Sequence, residues 1–260
     1  MSVVVAIKEN GVIYMGADTM VTYGDSKRYL TTEHTQKVWV VEDTPNCIMG
    51  CVGLLSDLNL VRYCGQHLIP ELAVLKNEVN TGTIIQNTVP QLFGLIQDYN
   101  EICAKPEDLP MQSSFVIGIK DHLFTIYPDG CVEEEEDWVA IGSGADMALA
   151  SLENTEGENV YIRLVKALSA ASRISLYVSD PYVMVDSDQC EMAILNYDEL
   201  LTELEEQEAD ENRAECDCCE DCGGPDCHCH DDGECCECCD CNSAEKDCDC
   251  GCNCNCHKKD

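Results

Sequence analysis

The feature that most constrains this chain is an apolar, largely β-branched run, Val3-Val4-Val5-Ala6-Ile7, followed by Asn10-Gly11 and a second run, Val12-Ile13-Tyr14-Met15. Asn-Gly between two such runs predicts a tight hairpin, because both residues tolerate the positive φ that the turn demands. A hairpin lays the end of its second strand beside the start of its first. Asp18 is therefore expected next to Ser2, although sixteen residues separate them. Only Met1 precedes Ser2, so the first strand is expected to begin where translation begins.

The remaining pattern is mixed. Thr19 to Gln36 is polar and has no apolar period, whereas Lys37–Val41 and Cys47–Gly53 read as strands. Ser56 or Asp57 is placed to cap a helix carrying Leu58, Leu60, Val61, Cys64, Leu68 and Leu72 on one face. A second helical pattern covers Ile84 to Cys103, with Pro90 expected to kink it unless it falls near a start. Ser114–Ile119 and Leu123–Tyr127 predict a hairpin, and the acidic run Glu133–Asp137 a solvated loop or edge. Trp138–Ile141 leads into Gly142-Ser143-Gly144; helices over about 144–153 and 158–177, strands near 182–185 and 192–195, and a last helix from about Asp198 follow. Strands joined by tight turns and alternating with helix pairs give an α+β chain. Two antiparallel sheets stacked between helix layers, a four-layer αββα sandwich, would use every element. The poor alternation of the strands fits sheets covered on both faces. The expected organisation is a domain over 1–204, an acidic linker over 205–215 and a Cys-rich tail over 216–260.

A formal charge of −35 on 260 residues argues against nucleic acid or an anionic membrane as partner, since phosphates reward the opposite sign. No basic segment with an apolar core opens the chain, and no apolar run reaches spanning length, so a soluble, cytoplasmic protein is expected. Acid concentrates at the end: residues 198–260 hold 22 Asp and Glu against 4 Lys and Arg.

Ser2 offers an unusual chemistry. A serine hydroxyl is a weak nucleophile until a base takes its proton. Once Met1 is removed, the α-amine of Ser2 itself, with an ordinary pKa of about 7.7–8.0, can serve. Such a pair needs a positive neighbour to set the proton balance and a carboxylate to hold that neighbour; Lys37 and Asp18 are the candidates.

Together these pieces resemble the catalytic subunits of the proteasome and the HslV peptidase, members of the N-terminal nucleophile hydrolases. The matching segments are Ser2-Val3-Val4-Val5 with Asn10-Gly11, Gly16-Ala17-Asp18 with Val21-Thr22, Lys37-Val38, Ile48-Met49-Gly50 with Asp57, Leu60-Val61-Arg62-Tyr63, and Ile141-Gly142-Ser143-Gly144, in family order from residue 2 to about 195. The resemblance implies Ser2 as nucleophile, Asp18 and Lys37 as the acid and the base-tuning lysine, the Gly50 N–H as oxyanion donor and Ser143 as a holder of the terminal amine. It also implies Ile48 at the floor of an apolar specificity pocket. A polypeptide substrate, a homo-oligomeric ring, an unfoldase ATPase partner and no cofactor for the catalysis follow from it. The chain departs from the family in having Ser for Thr as nucleophile. It also has Ser175 and Val178, or Arg173 in a shifted register, where an Asp and a Ser are usual. A catalytically silent assembly protein on the same fold is the alternative.

Six of the 22 cysteines are scattered through the body, and sixteen crowd between Cys216 and Cys256. Cys216, Cys218, Cys219, Cys222, Cys227, His228, Cys229, His230, Cys235, Cys236, Cys238, Cys239, Cys241, Cys248, Cys250, Cys252, Cys254, Cys256 and His257 form dense Cys-x-Cys and Cys-Cys steps. Closely spaced thiolates share soft ions, which suits Zn²⁺ or Cu(I). The tail resembles metallothioneins in that density, and it is too polar to build a core without metal.

Overall fold

A computed structural model describes residues 2–30, 32, 35–42, 44–65, 79–102, 111–190, 192–195 and 202. Apart from Thr202, the expected helix from Asp198, the linker and the whole Cys-rich tail lie outside the described residues.

Strands β1 (Val3–Glu9) and β2 (Val12–Asp18) form the expected hairpin, with Asn10 at φ 51° and Gly11 at φ 80°. They sit centrally in a five-stranded sheet of order β10-β1-β2-β11-β12, where β10 is Trp138–Gly142, β11 Tyr182–Asp186 and β12 Met192–Leu195. The second sheet has the order β5-β6-β7-β8-β9, built from Val38–Val40, Cys47–Val52, Ser114–Ile119, His122–Ile126 and Val132–Glu135. The acidic run thus supplies an edge strand, where its glutamates find water and neighbouring polar groups.

The two sheets face each other through Val4, Ala6, Ile13, Met15, Val38, Ile48, Val116 and Val183, all buried. Helices α1 (Leu55–Cys64) and α2 (Val89–Ile102) cover the other face of the second sheet, with Leu58, Val61, Leu92 and Ile96 packed on Met49, Phe115 and Ile117. Helices α3 (Ala145–Asn154) and α4 (Val160–Ile174) cover the first sheet; Leu168 of α4 reaches so close to Gly16 that a Cβ there would stand 3.0 Å from its Cδ1. The result is the αββα stack. Every residue from Val3 to Ile7 is fully buried because the strand has apolar neighbours on both faces, which is why alternation was faint.

One element differs from expectation. The polar stretch after Asp18 carries a small hairpin, β3 (Met20–Tyr23) and β4 (Ser26–Tyr29). Its exposed face is closed by Arg28 over the Tyr23 ring and Lys27 over Tyr29, pairs that leave no hydrophobic period. Pro90 falls at the second residue of α2, the start position at which the sequence allowed it, and a π-helical turn over Ile84–Thr88 precedes it. That wider turn accommodates a ring that would collide with the carbonyl four residues back.

Candidate active site

The start of β1 is held from three sides. In β2 the register pairs Val4 with Ala17, which leaves Asp18 opposite Val3. Its Oδ1 accepts the Val3 N–H at 2.9 Å and the Lys37 ammonium at 2.7 Å. Lys37, immediately before β5 on the other sheet, also donates to the Met20 carbonyl at 2.6 Å. Asp18 is 0% exposed and Lys37 2%, so this ion pair is away from bulk water. Burial raises the Asp18 carboxyl above its ordinary range and lowers the Lys37 ammonium, each against the opposing pull of its partner.

From the third side, Ser143 donates its N–H to the Ser2 carbonyl at 2.8 Å and its Oγ at 3.3 Å. The contact that this geometry gives Ser143 is therefore with the carbonyl of Ser2. Gly142, at φ 101°, must lack a side chain, because a Cβ would lie 2.2 Å from the Ser2 oxygen. Ser2, Asp18, Lys37 and Ser143 thus converge, although they come from both sheets and from the β10–α3 turn.

Gly50 is different. In β6, Cys47, Met49 and Cys51 face the helices, whereas Ile48, Gly50 and Val52 face the other sheet. A Cβ on Gly50 would lie 2.6 Å from Val4 Cγ1, so its place is a close approach of the two sheets. Ile48 is likewise buried between the sheets rather than at the floor of a pocket. A small, solvent-open cleft beside Ser2 is lined by Ser2, Val21, Lys37, Cys51, Gly53, Leu54, Leu55 and Leu58. The positions expected for Gly50 and Ile48 are corrected to the residues at the end of β6. The reason is parity, since an odd shift along a strand reverses the face.

Gly53 takes φ 133°, and its N–H meets no acceptor among the described residues. The signal for it is positional: a glycine just past an apolar strand and just before a helix, where ladder pairing has ended. Cys51 contributes to the apolar wall, and burial pushes its thiol far up, which makes it an inert hydrophobe rather than a nucleophile. Asp57 does not cap α1, whose N-terminal residue Leu54 has no side-chain cap; its carboxylate instead accepts from Ser113 Oγ at 2.8 Å.

Two packed sheets between helix pairs, with a buried Asp–Lys pair at the start of the first strand, place the protein among αββα proteins. The chain belongs to the proteasome subunit family, whose "Proteasome subunit" model matches residues 2–174. Among curated relatives, it is 24% identical over 179 residues to proteasome subunit beta 2 of Thermofilum pendens, covering 67% of this chain and 78% of that one. It is 26% identical over 188 residues to proteasome subunit beta 1 of Ignicoccus hospitalis, covering 66% and 84%. Its fold is similar to eukaryotic HslV from Trypanosoma brucei (TM-score 0.53, 16% identity, 71% of this chain and 98% of that one). It is also similar to BPH of Thiobacillus denitrificans in complex with epoxomicin (TM-score 0.52, 15% identity, 72% and 98%). Among the described residues no helix is long and apolar enough to cross a membrane.

Proposed function

We propose that this protein is a proteasome-like peptidase that cleaves peptide bonds through an acyl-enzyme on Ser2. The observation that carries the reading is the Asp18 carboxylate, 0% exposed, holding both the Val3 N–H and the Lys37 ammonium beside Ser2. With Met1 removed, the Ser2 α-amine takes the hydroxyl proton as Oγ attacks the scissile carbonyl, and returns it to the leaving amine. Lys37, as a buried cation, favours the neutral amine that this step needs. Asp18 fixes the position of Lys37, and Ser143 holds the Ser2 carbonyl so that the terminus is oriented. The Gly53 N–H, which lines the same cleft as Ser2 and meets no acceptor among the described residues, is the donor to the developing oxyanion in place of Gly50; one such donor lowers the barrier by about 3–4 kcal/mol. The wall of Val21, Cys51, Leu55 and Leu58 favours apolar side chains before the cut. By kinship with the curated beta subunits, a homo-oligomeric ring would enclose the site, with an unfoldase ATPase feeding a polypeptide substrate.

A silent scaffold remains the second reading, and one observation favours it. The hydroxyl of Ser175, after α4, accepts from the Tyr177 N–H at 3.2 Å, and Val178 packs near Gly144. No carboxylate stands at either place to assist the amine.

The deciding experiment combines intact mass with turnover. Loss of Met1, an epoxomicin adduct on Ser2 and peptide cleavage abolished by Ser2→Ala are expected. A retained Met1, or cleavage unchanged in Ser2→Ala, would overturn the peptidase reading. The tail is proposed to bind Zn²⁺ or Cu(I) through its thiolates and His228, His230 and His257, independently of this chemistry.

A further inference from the structure

We propose that Asp57, acting through Ser113, is a positioning residue: by holding the peptide after Gly53 it keeps Gly53 in the conformation that presents its N–H, carried by the preceding peptide, to the oxyanion; this rests on the peptidase reading above.

Ser113 Oγ is the hub of the arrangement. It accepts the Leu54 N–H at 3.0 Å and donates to Asp57 Oδ2 at 2.8 Å. The Leu54 carbonyl is held separately, by the backbone N–H groups of Asp57 at 3.1 Å and Leu58 at 3.2 Å that open α1. Leu54 is thus held at its N–H by the Ser113–Asp57 relay and at its carbonyl by the start of α1. On the other side of Gly53, β6 is locked by pairing to β7, with Val52 opposite Ser114. Gly53 is therefore bounded on both sides: its own N–H lies in the Val52–Gly53 peptide at the end of the ladder, and the peptide after it is held by Ser113. The fit is tight as well: a Cβ on Gly53 would lie 2.4 Å from Ser113 Oγ and 2.6 Å from Ser113 Cα.

A helix-stabilising acid would sit in water and face the free N–H groups of the first turn. Asp57 is 1% exposed and Ser113 0%, and the carboxylate is bonded to Ser113, which in turn holds the Leu54 N–H. Burying a carboxylate is costly unless it is bonded. Ser113 supplies one such bond, and Ser56 Oγ another at 3.3 Å. A buried acid is a rigid anchor for a donor that must not reorient as charge develops.

The test compares the full-length protein with Asp57→Ala, Ser113→Ala and the double variant. Its readouts are kcat and KM for a fluorogenic peptide, the affinity of the matching peptide aldehyde, and thermal stability. The aldehyde reports the oxyanion directly, because its adduct with Ser2 places an oxygen where the donor points. Each single variant is expected to lower kcat about 10- to 100-fold. KM should stay within about twofold and the aldehyde weaken by the factor lost from kcat. The double variant should lose no more than a single one, since a relay acts as a unit. Asp57→Asn, which keeps an acceptor for Ser113, should fall between wild type and Asp57→Ala and keeps the comparison open should the alanine variants not fold. Wild-type turnover with kcat and aldehyde affinity unchanged in the variants, or with losses that multiply, would overturn the relay alone. A kcat loss matched by the lost folded fraction would do the same. Absence of wild-type turnover would overturn the peptidase reading and this inference with it.

Discussion

The Lys37 ammonium has two oxygens in reach, Asp18 Oδ1 at 2.7 Å and the Met20 carbonyl at 2.6 Å, and almost no water. Because burial lowers its pKa, folding disfavours the charged form; that cost is present below the folded value and is relieved as pH rises through it towards the ordinary 10.5. Asp18 has the opposite sign. Its raised carboxyl costs stability above the folded pKa, and the cost is relieved as pH falls through that value. Lys37→Met would leave the Asp18 charge buried with the Val3 N–H and no cation, a loss expected at about 3–5 kcal/mol near neutral pH. Without the lysine, the carboxyl rises further and protonates sooner. The loss should therefore shrink as pH falls from neutral, measured by urea midpoints of the two proteins; a constant difference would contradict the electrostatic account.

At the scale of one strand, β6 and the residue just past it show what two glycines do. Gly50→Ala would push a methyl to 2.6 Å from Val4 Cγ1, an overpacking worth about 1–3 kcal/mol. Val4→Ala should relieve it, so that the double variant loses less than the sum of the singles in thermal unfolding. Gly53→Ala instead meets backbone, Ser113 Cα at 2.6 Å, at a φ of 133°, and no side-chain trimming can rescue it. The existence of β6 was legible from Cys47–Val52, but its phase was not. Both faces are apolar, so nothing in the residues says which set looks at the helices. The β3–β4 hairpin escaped for a related reason: its stabilising contacts are cation–π pairs between polar-looking residues. Asp57 was legible as a first-turn acid, and only Ser113, 56 residues away, reveals its other task.

For the whole molecule, family membership accounts for residues 2–174 and leaves the last part of the chain to its own chemistry. The sixteen cysteines from Cys216 onward have a donor set suited to soft ions. Full-length protein should carry several zinc or copper ions more than a truncation ending near Glu211, by elemental analysis; equal content would reject the metal reading. Peptide turnover is expected to be the same in both, because the cleft is built from residues between Ser2 and Ser143 together with the helices behind them.

By themselves, the residues determined the opening hairpin, the layered class and the meeting of Ser2 with Asp18. Those follow from local turn chemistry and from apolar runs that must be buried. Only the tertiary structure decided which glycine lines the cleft, where Lys37 finds its oxygens and what Asp57 holds. Such choices depend on the phase of a period-two strand and on contacts between sheets, and both are set by the packing partner rather than by neighbours in the chain.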